Sequence, residues 1–137
     1  MFSQSARFSP WQKLSLCAIA TLFVAAGSLH LVRPQPFREI MPPSIPSPDL
    51  MVTLSGVAEL AGGIGILISA LRPAARWGLV ALLIAVFPAN IYMAQRRIAP
   101  GGLHIPAALL WARLTLQPLL IWWVLAATRP KQPLLSA

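Results

Sequence analysis

An all-α membrane fold is what this sequence predicts, and three observations predict it. The chain of 137 residues is 57% hydrophobic and only 10% charged, where a soluble domain carries about 25% charged residues. Its mean hydropathy is +0.70. Its apolar residues gather into runs of about 20, the length that crosses a hydrocarbon core of about 30 Å. Backbone polar groups in lipid have to be satisfied within their own segment, so each run should be a helix. The expected architecture is one polytopic membrane domain, residues 1–137, built as an antiparallel four-transmembrane-helix bundle.

The first helix is expected over 13–32. Trp11 and Lys13 stand at its start, an aromatic and a basic group suited to the membrane interface. A rival reading takes Arg7, Lys13 and the apolar run up to Val24-Ala25-Ala26 as a signal peptide with a small-residue cleavage site. The apolar pattern continues beyond that site through Leu29 and Val32, which favours a retained span. Residues 33–47 hold several prolines, which exclude a long regular helix. They also keep Phe37, Ile40, Met41 and Ile45, more apolar content than a disordered linker carries. The segment reads as an ordered extramembrane loop or short interfacial helix over the mouth of the bundle.

Ser47-Pro48-Asp49 marks a helix start, with Ser as cap and Pro at the first position. The second helix is expected over 48–71, with Ala58/Gly62 and Ala61/Gly65 as small-residue pairs that admit a close neighbour. Arg72-Pro73 ends it, and a short turn makes the third helix, 74–95, its antiparallel neighbour. Pro88 lies inside that third helix and frees a backbone carbonyl. Pro100-Gly101-Gly102 reads as a turn. The fourth helix is expected over 103–127, with Pro106 in its first turn, a kink at Pro118 and Trp122-Trp123 at the far interface. Residues 128–137 read as a flexible tail.

Net charge is +8, from 11 Lys+Arg against 3 Asp+Glu. The basic residues stand singly or in pairs at the ends of apolar runs, where they meet lipid headgroups and set topology. No contiguous basic face exists, so nucleic acid is excluded as a partner. Arg7, Lys13, Arg72, Arg76, Arg129 and Lys131 fall on one side and Arg33, Arg38, Arg96 and Arg97 on the other, which favours N-in and C-in. Cys17 is the single cysteine. It excludes an internal disulfide, a redox CxxC pair and a thiolate metal cluster.

Function is sought among the polar groups inside the apolar runs. Glu59 sits within S-G-V-A-E-L-A-G-G-I-G-I-L (55–67), and a carboxylate at membrane depth is costly unless it faces protein or water. On a helix it shares a face with Ser55, Gly56, Gly62 and Gly63. Glu59 lies about ten residues from Asp49 and Arg113 about ten from Leu103, roughly 15 Å in each case. Matched depth and opposite sign predict a buried ion pair between Glu59 and Arg113. His30, Ser55, Asn90 and Gln117 then line an outward-opening polar pocket, with the Pro-rich loop as its lid. Plainer roles stand beside these. The ion pair is a staple of helix register, and His30 bonds the loop. Asn90 satisfies the carbonyl freed by Pro88, and Gln117 orients Arg113 or caps the Pro118 kink. His104 lies at the membrane interface, or approaches His30 if the helix ends are adjacent. No metal set and no nucleophile–base pair is present in the pattern; a proton relay through Glu59 and His30 stays open.

A-G-S-L-H-L-V-R-P (26–34), P-P-S-I-P (42–46), S-G-V-A-E-L-A-G-G-I-G-I-L (55–67) and the stretch from Leu71 through F-P-A-N to Ala94 together resemble the DoxX-like family of small four-helix membrane proteins. The resemblance covers about Cys17 to Ala127. Family members place Phe after the first-helix His, where this chain has Leu31. The resemblance implies a four-helix bundle in the bacterial inner membrane. It also implies a link to membrane redox chemistry with a quinone, since the family is named for a subunit associated with quinol or thiosulfate–quinone oxidoreductases. The expected function is a non-catalytic accessory or binding subunit, with no cofactor of its own beyond a quinone. Its expected partners are the lipid bilayer and a membrane redox protein, or a second copy of the chain. The alternatives are a small proton-coupled carrier, an enzyme acting on a quinone or lipid headgroup, and an assembly chaperone.

Overall fold

The computed structural model describes residues 8–129. Arg7 and Lys131, counted above for orientation, lie outside the described residues, as does the tail from residue 130 onward. Among the described residues the fold is all-helical. It comprises α1 (Pro10–Val32), α2 (Gln35–Glu39), α3 (Pro48–Gly65), α4 (Arg72–Arg96), a 3-10 turn at Pro100–Gly102 and α5 (Ala107–Ala127). By length and composition α1, α4 and α5 are apolar enough to cross a membrane.

Each boundary has a local cause. Ser9 caps α1 through a capping box with Gln12, and Pro10 occupies the first turn, where its missing N–H costs nothing. The helix therefore starts three residues before Lys13. It runs unbroken through Val24-Ala25-Ala26 and stops before Pro34. The Pro-rich segment forms α2, a single helical turn and a little more. Ser47 precedes α3 in the left-handed region (φ 52°) and makes no side-chain cap, so the capping predicted for it is absent.

α3 ends at Gly65 rather than Leu71. Tight turns replace the helix beyond it, with Leu67 N–H on Ile64 O and Ile68 N–H on Gly65 O. Arg72 stabilises this ending. Its Nε donates to Ile66 O at 2.8 Å and its Nη2 to Leu67 O at 3.1 Å. At the last boundary Pro106 becomes the cap, extended at ψ 138°, and α5 begins at Ala107. Residues 103–106 are outside the helix, which moves Arg113 nearer its start than expected.

The long helices pack in the cyclic order α1, α3, α4, α5, with α1 against α5 closing the ring. Neighbours run antiparallel: Gly56 meets His30 while Gly63 meets Ala20, and Gly62 meets Leu79 while Gly65 meets Ala75. Gly56 and Gly63, seven residues apart, therefore face α1. Gly62 and Gly65 face α4. Ala58 and Ala61, expected to pair with those glycines in packing, are exposed.

Two apolar clusters lie at different levels. The larger joins Leu16, Ile19 and Phe23 of α1 to Leu79 and Leu83 of α4 and Val124 of α5. The smaller joins Ile40, just past α2, to Met93, Ala94 and Leu110. Along α4 and α5 the residues between these clusters are Val86 to Asn90 and Arg113 to Gln117, and this intermediate level carries the polar groups. The outer surface is apolar on every long helix: Leu14 and Leu22, Leu54 and Val57, Ile84 and Phe87, Leu116 and Leu119 are all exposed.

Candidate functional site

The site begins with two glycines. A Cβ on Gly27 would lie 2.7 Å from the carbonyl oxygen of Gly56 and 3.0 Å from the Cβ of Glu59; one on Gly56 would lie 2.8 Å from the Cβ of His30. No other residue type permits this approach without a shift. Side chains on a helix tilt toward its N-terminus. Because α1 and α3 are antiparallel, His30 tilts down the seam and Glu59 tilts up it. The two meet, with His30 Nδ1 2.9 Å from Glu59 Oε2 and side chains only 14% and 12% exposed.

His30 Nδ1 is also 2.9 Å from Ala26 O. A carbonyl oxygen only accepts, so Nδ1 carries the proton and Nε2 is left as the atom that gains or loses one. The Nδ1–H is directed at Ala26 O. Glu59 Oε2 therefore sits in charge contact with the ring but has no aligned donor, and it is buried. Buried acceptors are rarely left this way. Phe37 of α2 stacks on the imidazole, ring centroids 3.6 Å apart and planes at 22°.

Glu59 faces a cavity of about 80 Å³ lined by His30, Phe37, Ile40, Met41, Val52, Ser55, Glu59, Val86, Ala89, Asn90 and Arg113. That is room for a few waters or one end of a small molecule. α2 roofs it and is held at its C-terminal end by two contacts. Arg38 forms an exposed ion pair with Asp49 at 2.6 Å. Glu39 Oε2 accepts from the backbone N–H of Gly101 at 2.9 Å.

Residues 19–128 match the family model described as Domain of unknown function (DUF8561). The chain belongs to the DUF8561 family. The matched stretch takes in every residue of the cavity, from His30 to Arg113. No curated protein and no solved structure matches the chain.

In this DUF8561 protein the predicted polar residues divide into two groups. His30, Ser55, Glu59, Asn90 and Arg113 share the cavity. Gln117 lies outside it, buried between α4 and α5, where its Nε2 donates to Leu83 O at 2.7 Å and its Oε1 accepts from Asn90 Nδ2 at 3.0 Å. Asn90 therefore bonds Gln117 rather than a freed carbonyl. Gln117, not Asn90, serves the backbone of α4 one residue before Ile84, the position opposite Pro88. It neither orients Arg113 nor caps the Pro118 kink.

The ion pair expected between Glu59 and Arg113 is replaced. Glu59 has His30 as its charge partner, and Arg113 makes no salt bridge among the described residues. With α5 beginning at Ala107, Arg113 lies about four residues, roughly 6 Å, nearer the start. It stands exposed at the edge of the cavity. His104 is exposed and does not line the cavity. No group of three or more His, Cys, Asp or Glu suited to a metal occurs among the described residues. Phe37 and Gly27 were not singled out for the site from sequence. Phe37 showed only as an apolar residue among prolines, and Gly27 as one small residue in an apolar run.

Proposed function

We propose that this protein is a four-transmembrane-helix bundle of the DoxX-like kind and serves as a membrane-embedded accessory or binding subunit, linked to quinone-dependent redox chemistry. Its outward-opening pocket takes one end of a small molecule. The observation that carries the pocket reading is Glu59 Oε2, a buried carboxylate oxygen without a donor, facing a cavity large enough for a ligand. A ligand hydroxyl or amine would supply the missing donor.

The fourth span in this reading is α3. Its 18 residues extend about 27 Å at 1.5 Å per residue, close to the hydrocarbon thickness of about 30 Å. Its outer face presents Leu50, Leu54, Val57 and Ile64, as lipid requires. Orientation draws support from charge. By sequence six basic residues, Arg7, Lys13, Arg72, Arg76, Arg129 and Lys131, belong to one side and four, Arg33, Arg38, Arg96 and Arg97, to the other. The first side is the one retained in the cytoplasm, so α2 and the cavity mouth face outward across a bacterial inner membrane. The quinone link and the redox partner rest on the DoxX-like resemblance alone.

The test is mass spectrometry of what co-purifies in mild detergent, proteins and small molecules together. A small molecule enriched on the wild-type chain and lost from Glu59→Leu is the expected result. Retention of the same molecules by both chains would remove the pocket from the function. A quinone-linked partner protein among the co-purified species would support the redox link.

A further inference from the structure

From the charge accounting of the cavity we infer that Arg113 is an oxyanion receptor, and that the pocket takes a ligand carrying a phosphate or carboxylate together with a hydroxyl. This rests on the reading of the cavity as a ligand pocket and adds the charge of its occupant.

The chain has three acidic side chains in all, and each is engaged elsewhere. Asp49 pairs with Arg38. Glu39 accepts from the Gly101 N–H. Glu59 lies in charge contact with His30, 2.9 Å from its Nδ1. No carboxylate forms a salt bridge with Arg113 among the described residues, and Glu59, on the same cavity wall, acts on it only at longer range. Yet Arg113 lines the cavity and lies six residues beyond the first residue of α5, a helix apolar enough to cross a membrane. At about 1.5 Å per residue this is roughly 9 Å along the helix, a depth where the headgroups of lipids meet their acyl chains. A guanidinium there gains from a close, charge-assisted partner, and no side chain among the described residues bonds it as one. Its planar fork matches an oxyanion in bidentate fashion.

The interior of the pocket fits the same occupant. His30 lies against Glu59 and, when Nε2 is protonated as well, offsets its charge toward an incoming anion. Ser55 offers a hydroxyl on the same lining. Glu59 Oε2, which lacks a donor, would accept from a ligand hydroxyl. A glycerol-phosphate group has both features, an anion for Arg113 and hydroxyls for Glu59. It can arrive as a lipid headgroup or as a free molecule.

The experiment separates these sources. Protein in phosphatidylcholine nanodiscs is titrated with sn-glycerol 3-phosphate, and in parallel phosphatidylglycerol is introduced into the disc and its retention read by native mass spectrometry. Saturable binding in at least one arm is expected. Arg113→Gln should weaken it tenfold or more, Arg113→Lys by less, and Arg33→Gln, an exposed change away from the cavity, not at all. Melting temperatures of the variants check that they fold. The inference is overturned if wild type binds neither probe, or if a folded R113Q or R113K series binds as wild type does. If both probes fail while a neutral molecule co-purifies and is lost from Glu59→Leu, the pocket stands and only its charge assignment falls.

Discussion

Gly27 of α1 and Gly56 of α3 lie in backbone contact, so close that a Cβ on the first would come within 2.7 Å of the carbonyl oxygen of the second. Backbone cannot yield as a flexible side chain can. Gly27→Ala should therefore push the two helices apart and destabilise the protein by about 1–3 kcal/mol, the usual cost of overpacking. Gly78 is the control, since a Cβ there meets nothing within 4 Å. Gly78→Ala should stabilise slightly, by about 0.5–1 kcal/mol, because alanine restricts the unfolded chain and suits a helix. Denaturation in mixed micelles reads both. Equal effects of the two substitutions would show that the seam is looser than described.

The glycine contact sets up the His30–Glu59 meeting, and a pair of double-mutant cycles checks which partner Glu59 prefers. The cycle of His30→Ala with Glu59→Gln should give a coupling energy of about 1–3 kcal/mol, as expected for residues in contact. The cycle of Glu59→Gln with Arg113→Gln should give less, because those residues form no salt bridge. The reverse order would restore Arg113 as the partner and displace His30.

Local patterns carry part of this fold, and contacts between helices carry the rest. The all-helical character was legible because apolar runs and proline breaks are local. His30, Ser55, Asn90 and Glu59 could be placed near one level because that needs only helix direction and residue count. The partner of Glu59 was not legible. It depends on the opposed tilt of side chains across an antiparallel seam, which brings His30 to Glu59 while Arg113 stays at the edge of the same cavity. The end of α3 at Gly65 was missed because Arg72, six residues past Ile66, supplies the donors that let the helix stop early. Gln117 was visible as a polar residue in an apolar run. That it reaches Leu83 O on α4 is a fact of packing between helices.

Gln117 bridges Leu83 O and Asn90, and the two ends of that bridge should be unequal in cost. Gln117→Leu leaves both a carbonyl and an amide nitrogen without their partner in a buried place. Each such loss costs about 1–3 kcal/mol. Asn90→Ala removes one bond and leaves Gln117 its link to the backbone, so it should cost less. The double variant should cost less than the sum, since the shared bond is counted once. Thermal unfolding in detergent measures all three. Additivity would mean that the Asn90–Gln117 bond contributes nothing.

The topology turns on α3, the one long helix that falls outside the three apolar enough to be recognised as spans by length and composition. If α3 crosses, the segment before it and the turn after it lie on opposite sides of the membrane. Ser44 and Ser69 mark those two places, and both are exposed. In a Cys17→Ala background, Ser44→Cys should react with a membrane-impermeant maleimide added to intact spheroplasts. Ser69→Cys should react only after permeabilisation. Labelling of both from the same side would mean that α3 lies along the interface rather than across it. Glu59 would then sit at the surface, and the cost that demands a partner for it among acyl chains would vanish.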